Sequence, residues 1–296
     1  MKHRILQFLA ILVIFLFTAV STMFIFGISQ GAFSKTIGSN KGISMLLIYL
    51  VLFLITWLSL KAFKQRIGFS GVIITLSVVL ILLIILNLDG ATIRFTYKVL
   101  PFYISWVLGV LSGFLWYIRT KNRIIVAMVL AIFPAIMAVG VYNLWFHRVE
   151  YGNWTGNIPA EKVGDFEFTD MDDELITNTS LKGKLVLFDF WFINCGPCWK
   201  KFPELQRLYD TYKSNPNIVL YAVNRPMKSD KPGALFKSIE ERGYSFPVLK
   251  GSQQVLDRLG VYKYPTVMIL NTEGELIFMG EIEDAEKTLE KLLQSI

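Results

Sequence analysis

The chain has 296 residues, 53% of them apolar and 18% charged, against about a quarter charged in an ordinary soluble domain, which excludes a simple cytosolic enzyme. Its net charge of +7 is unevenly divided: residues 1–150 carry 13 Lys/Arg against 2 Asp/Glu, and residues 151–296 carry 17 against 21. The cations fall in short clusters between apolar runs rather than along one soluble face, which excludes nucleic acid as a partner, and two cysteines with two histidines are too few for a disulfide framework or a four-ligand Cys/His zinc site.

Five apolar stretches come first: 5–28, 43–60, 72–88, 99–118 and 124–146. Each meets the roughly 17 to 25 residues a helix needs to cross ~30 Å of hydrocarbon. None has the polar face that a soluble core helix shows, and Trp57, Trp106, Trp116 and Trp145 lie near their ends, where amphipathic rings favour the headgroup level. Residues 1–148 are thus expected to form an all-α, multi-pass membrane domain of about five spans. Lys2, Arg4, Lys61, Lys64, Arg66, Arg119, Lys121 and Arg123 would share one side, 8 in all, against 5 on the other, namely Lys35, Lys41, Arg94, Lys98 and Arg148. The positive-inside rule then puts the N-terminus in the cytoplasm and, after five crossings, the C-terminal half outside. The first run is longer than the usual signal-peptide core, and its cleavage would leave the final orientation unchanged. The spans hold no cysteine, so they read as an anchor, with a quinone-facing or partner-docking bundle as the other reading.

Residues 149–162, with Gly152, Gly156, Asn157 and Pro159, read as a linker, and 163–296 as a soluble α/β domain. Leu185 to Phe192 is an apolar run too short for a helix and suited to a strand buried on both faces, interrupted by Asp189. A helix over 198–213, a second buried strand over 217–223 and a helix over 232–242 follow. A short strand at 246–249, a short helix at 253–259, a hairpin from 266–270 and 276–280, and a final helix over 284–293 complete a mixed sheet flanked by helices.

Cys195-Gly196-Pro197-Cys198 stands where the buried strand hands over to the helix. Unpaired N–H groups and the positive dipole end there favour an anion, so Cys195 should lose its proton near neutral pH. Cys198, one turn on, is placed to attack a mixed disulfide on Cys195, while Gly196 and Pro197 shape the turn and leave the first sulfur accessible. Haem attachment would need His where Trp199 stands, and zinc would need His3 or His147 from the membrane half. A purely structural bridge over two intervening residues would close too small a loop to stabilise much. No metal or other cofactor is called for.

The segment from about 160 to 296 resembles the thioredoxin fold, and within it the TlpA/ResA-like thiol-disulfide oxidoreductases. The resemblance rests on the CGPC turn after a buried strand, Pro203 five residues past the second cysteine, Tyr264-Pro265-Thr266 before the hairpin strand, the lead-in Val163 to Phe168 and the turn Leu181 to Lys184. It implies that Pro265 is cis and packs against the cysteines, with Tyr264, Pro265 and Thr266 beside an extended substrate. An ordinary trans proline is the alternative. Asp189, six residues before Cys195, matches the buried acid of thioredoxin. Isolated among apolar neighbours it would have a raised pKa and could take the proton of Cys198, unless buried water or a nearby lysine satisfies it. Asn194 stands where the family usually has Trp, and Gly-Pro replaces its more varied dipeptide.

The implied activity is reduction of disulfides in secreted proteins or apocytochrome c, with a membrane thiol transporter as electron donor. The rival from another class is a non-catalytic membrane assembly module that uses the thioredoxin fold for docking. A peroxidase of the peroxiredoxin branch would need Pro and Thr upstream of its reactive cysteine, which this sequence lacks.

Overall fold

The computed structural model describes residues 2–29, 40–87, 93–118, 121–231 and 233–294. Lys35, Leu88, Arg119 and Pro232, which enter the sequence reading, lie outside them. The chain falls into two compact units, Met1–Glu150 and Tyr151–Ile296.

The first unit is built of helices: α1 (Lys2–Ser29), α2 (Ile43–Asn87), α3 (Ile93–Tyr117) and α4 (Arg123–Ile136), the last continuing through a wider turn at Met137–Val141 into α5 (Tyr142–Tyr151). Among the described residues, four stretches are long and apolar enough to cross a membrane: His3–Ser29, Ile43–Asn87, Tyr97–Tyr117 and Arg123–Tyr151. Four such stretches stand where five are expected because 43–60 and 72–87 share α2. Its 45 residues are about twice what a bilayer needs. Its backbone leaves helical geometry at Gly68 (φ 74°, ψ 176°), a conformation that glycine adopts without a Cβ penalty.

Contacts sort the helix ends into two groups. At one end Gln7 Nε2 donates to the Arg66 carbonyl at 2.8 Å, and Lys64 lies over the rings of Phe69 and Tyr117. At the other, Asn40 Nδ2 donates to the Ala138 carbonyl at 2.6 Å and Trp145 Nε1 to the Tyr97 carbonyl at 3.0 Å. The first arm of α2 runs from the second group to the first, and α3 starts again at the second, so the chain reverses at Gly68.

Large apolar side chains cover the outside of this unit, Val20 at 67% and Leu86 at 74% exposure among them, as expected of surface meant for lipid rather than water. Polar groups turn inward: Tyr49 Oη shares a hydrogen bond with Ser112 Oγ at 2.9 Å and donates to the Ala127 carbonyl at 2.7 Å. A Cβ at Gly113 would lie 2.5 Å from the Phe53 carbonyl oxygen and 2.8 Å from Thr56 Cβ, so α2 and α3 approach backbone to backbone, as small residues permit between membrane helices. Gly113→Val is therefore expected to separate them at a cost of about 1–3 kcal/mol, read as a lower thermal midpoint of the full chain in detergent; an unchanged midpoint would contradict this packing.

The second unit is an eight-stranded mixed sheet. Its elements are β1 (Asn157–Lys162), β2 (Glu167–Thr169), β3 (Leu175–Thr177), β4 (Leu185–Trp191), α6 (Gly196–Tyr212), β5 (Ile218–Asn224), α7 (Ala234–Glu240), β6 (Val248–Lys250), α8 (Gln253–Arg258), β7 (Thr266–Leu270), β8 (Glu275–Gly280) and α9 (Ile282–Gln294). The strand order is β1-β8-β7-β4-β5-β6-β2-β3. Strands β4, β5 and β6 run parallel, while β7 is antiparallel to β4 and forms the expected hairpin with β8.

Every residue of β4 is buried, as its apolar run demands of a central strand. One face packs Leu185, Leu187 and Trp191 against Phe202, Leu205 and Leu208 of α6 and Ala285 and Leu289 of α9. The other packs Val186, Phe188 and Phe190 against Phe166, Phe168 and Leu256. The linker reading fails for residues 157–162: β1 is an edge strand antiparallel to β8. It is nearly all exposed and contains Pro159, so its sequence looked like a connection, although proline is tolerated on an edge where no partner needs its N–H.

Candidate active site

The end of β4 positions the site. Backbone and side chain together fix the turn after it: Cys195 N donates to the Phe192 carbonyl at 2.9 Å and Trp199 N to the Cys195 carbonyl at 3.2 Å. Cys195 is the N-cap of α6, in extended conformation (φ −79°, ψ 91°), and its Sγ accepts from Cys198 N at 3.2 Å. Pro197 falls in the first turn, where its missing N–H costs nothing. Cys195 and Cys198 are joined by a disulfide, with their Cα atoms 5.3 Å apart.

Gly196 and Pro197 are exposed. The expectation that they leave the first sulfur accessible does not hold in this oxidised form, where Cys195 is 1% exposed. Its sulfur is tied to that of Cys198, which is fully buried, and Phe192, Ile193, Trp199 and Tyr264 pack against the cluster that contains both cysteines.

The Tyr264-Pro265 peptide is cis. Register explains its place: Thr266, the first residue of β7, pairs with Phe190 near the end of β4, so the Tyr264-Pro265 turn lies at the same sheet end as the CGPC turn. Rings connect the two, with Phe192 and Tyr264 edge to face at 5.5 Å. Thr266 is buried, and its Oγ1 donates to the Lys263 carbonyl at 2.8 Å, closing the turn around the proline.

Asp189 is fully buried, between Ala222 of β5 and Val267 of β7. Side chains alternate along a strand, so Asp189 shares the face of Leu187 and Trp191, the face on which α6 and Cys198 pack. Both carboxylate oxygens lack a hydrogen-bond partner among the described residues, so neither a lysine nor a hydroxyl satisfies them. Burial without compensation penalises the charged form and pushes the carboxyl up to about 8.

Sequence reasoning missed the aromatic wall beside the pair. Trp191, Trp199 and Phe202 meet edge to face at 4.9 to 5.1 Å, and Phe202 continues to Tyr244 and Phe246. Trp199 Nε1 donates to the Ile193 carbonyl at 2.7 Å, pinning the indole over the loop that carries the cysteines. Trp199 after the second cysteine had served only to exclude haem attachment.

Residues 159–279 match the AhpC/TSA family. The chain is 29% identical over 139 residues to the thiol-disulfide oxidoreductase ResA of Halalkalibacterium halodurans, covering 46% of this chain and 76% of that protein. It is 29% identical over 161 residues to ResA of Bacillus subtilis, covering 54% and 85%. With ResA of Geobacillus kaustophilus the identity is 31% over 151 residues, 48% of this chain and 84% of that protein. A dithiol turn closed into a disulfide at a helix N-cap, a cis-proline turn at the same sheet end and these likenesses agree: the chain belongs to the family of ResA thiol-disulfide oxidoreductases.

Proposed function

We propose that this chain reduces disulfides of proteins on the outer side of the cytoplasmic membrane, apocytochrome c or another secreted thiol protein among them, with the helical unit 1–148 as its anchor and 163–296 as its catalytic domain. The observation that carries the reading is the Cys195–Cys198 bridge at the N-cap of α6. In the reduced protein the free N–H groups and dipole of that helix end favour a thiolate at Cys195. The thiolate attacks one sulfur of the substrate disulfide, forming a mixed disulfide and expelling the other sulfur as a thiolate, which takes a proton. Cys198 gives its proton to Asp189 in its ionised form, a minority at neutral pH because burial pushes that carboxyl up to about 8, and then attacks the Cys195 sulfur. The substrate's second thiol leaves, the Cys195–Cys198 bridge closes, and two electrons have passed to the substrate. A dithiol donor in the membrane returns them by the same exchange in reverse.

The sidedness rests on the charge asymmetry of the connections, 8 cations against 5, and on the reversal of α2 at Gly68, which restores an odd number of passes. Tyr264, Pro265 and Thr266 would present backbone beside the sulfurs for an extended substrate. The test is a trap. In Cys198→Ala the second attack is impossible, so intact cells should accumulate covalent adducts on Cys195 that reductant releases and whose captured proteins are exported. Adducts solely with cytosolic proteins would reverse the orientation, and no adduct at all would defeat the exchange mechanism.

A further inference from the structure

The cysteine loop is held between two aromatic rings, and each ring carries a guanidinium. On one side Trp199, next to Cys198, is pinned to the Ile193 carbonyl, and the Arg242 guanidinium lies 4.0 Å from its ring centroid. On the other side Tyr264 meets Phe192, and the Arg225 guanidinium lies 5.5 Å from the Tyr264 centroid. Arg225 belongs to the site by its backbone too, since its N–H donates to the carbonyl of Trp191, the last residue of β4, at 2.7 Å.

Neither guanidinium forms an ion pair with a carboxylate of the described residues. Arg225 donates to Gln253 Oε1, and Arg242 donates Nη1 to the Ser238 carbonyl at 2.9 Å. Of the acids closest in sequence to these groups, Asp230 accepts from Met227 N at 2.8 Å, Asp257 accepts from Gln253 Nε2 at 2.6 Å, Glu241 lies 3.8 Å from Lys237 Nζ, and Glu240 is exposed. Lys200, next to Trp199 in sequence, and Lys228, three residues after Arg225, are exposed as well. A guanidinium stacked on a ring is oriented while still offering N–H donors that suit a carboxylate.

We propose that Arg225 and Arg242 frame the Cys195–Cys198 site to receive acidic side chains that flank the reacting sulfur of the polypeptide substrate. The proposal rests on the oxidoreductase reading above and adds a substrate class to it: protein cysteines with Asp or Glu on either side in sequence. Opposite charge raises the encounter rate and fixes the approach of the disulfide, and both effects fade with salt.

The test uses the full chain in detergent, reduced beforehand with dithiothreitol and separated from it, against three disulfide-linked peptides of equal length whose cysteines are flanked by acidic, neutral or basic residues. At low ionic strength the acidic peptide should be reduced about tenfold or more faster than the basic one, and the ratio should shrink toward one near ~0.3 M salt. Replacing both arginines, Arg225→Gln with Arg242→Gln, should abolish the preference, and Arg225→Glu with Arg242→Glu should invert it. Equal rates for acidic and basic peptides with the unaltered protein, a requirement of no variant, would overturn the proposal, as would a preference that survives the double replacement. Reaction with none of the three peptides would instead bring down the oxidoreductase reading, and this proposal with it.

Discussion

Cys195→Ser is expected to lower disulfide exchange by roughly a thousandfold or more, because the attacking thiolate is replaced by a hydroxyl that stays protonated at neutral pH. The loss should appear with any disulfide substrate, since it concerns the first bond formed. Maleimide should reproduce it, but only after the bridge has been opened: Cys195 is 1% exposed and bonded in the oxidised form, so oxidised protein should resist the reagent and reduced protein should be inactivated with one-site kinetics. Stability should change little by comparison, because the bridge spans a separation of three residues and short loops restrict the unfolded chain least. A docking module would show the opposite pattern, tolerating both the substitution and the label. Undiminished exchange by the serine variant, measured with a model disulfide protein, would remove Cys195 from the mechanism.

What the sequence made legible were the features carried by local chemistry. The run Leu185 to Phe192 announces a central strand because nothing polar but Asp189 breaks it, and the structure buries all of β4. The CGPC turn announces its own position because proline and glycine fit a helix start. β1 was invisible for the same kind of reason, inverted: an edge strand that is almost wholly exposed carries no apolar pattern, and only its pairing with β8 defines it. The three-residue strands β2 and β3 are too short for any periodicity to show. Within the helical unit, the cations Lys61, Lys64 and Arg66 break the apolar pattern, yet the helix runs past them until Gly68, because charged side chains alone do not break a backbone that glycine can. Arg225 and Arg242 escaped altogether. Each gains meaning only from a ring distant in sequence, Tyr264 for one and Trp199 for the other, and that closeness is a product of the sheet order.

The largest effect on stability is expected at Asp189. Its carboxyl is pushed up to about 8 in the folded protein, against an ordinary value of 3.8, because burial opposes its charge and no partner among the described residues offsets it. Between those two values the folded chain keeps a proton that the unfolded chain has released, so folding stability falls as pH rises from about 4 to about 8 and levels off above that. Asp189→Asn has no proton to lose. The variant should equal the parent near pH 4 and become more stable than it by a few kcal/mol at pH 8 to 9. Amide hydrogen-exchange protection across Leu185–Trp191 in the full chain measures this locally, and parallel pH profiles for the two proteins would mean that the carboxyl is solvated or paired in solution. Function should move the other way. If Asp189 accepts the Cys198 proton, the second attack should slow by about a hundredfold in the asparagine variant, and mixed disulfide should accumulate although both sulfurs are intact. A variant that is more stable at pH 8 and also slower to resolve its mixed disulfide would show one buried acid kept at the expense of stability for the sake of a proton transfer. Faster or unaltered resolution would leave Asp189 without a part in the exchange.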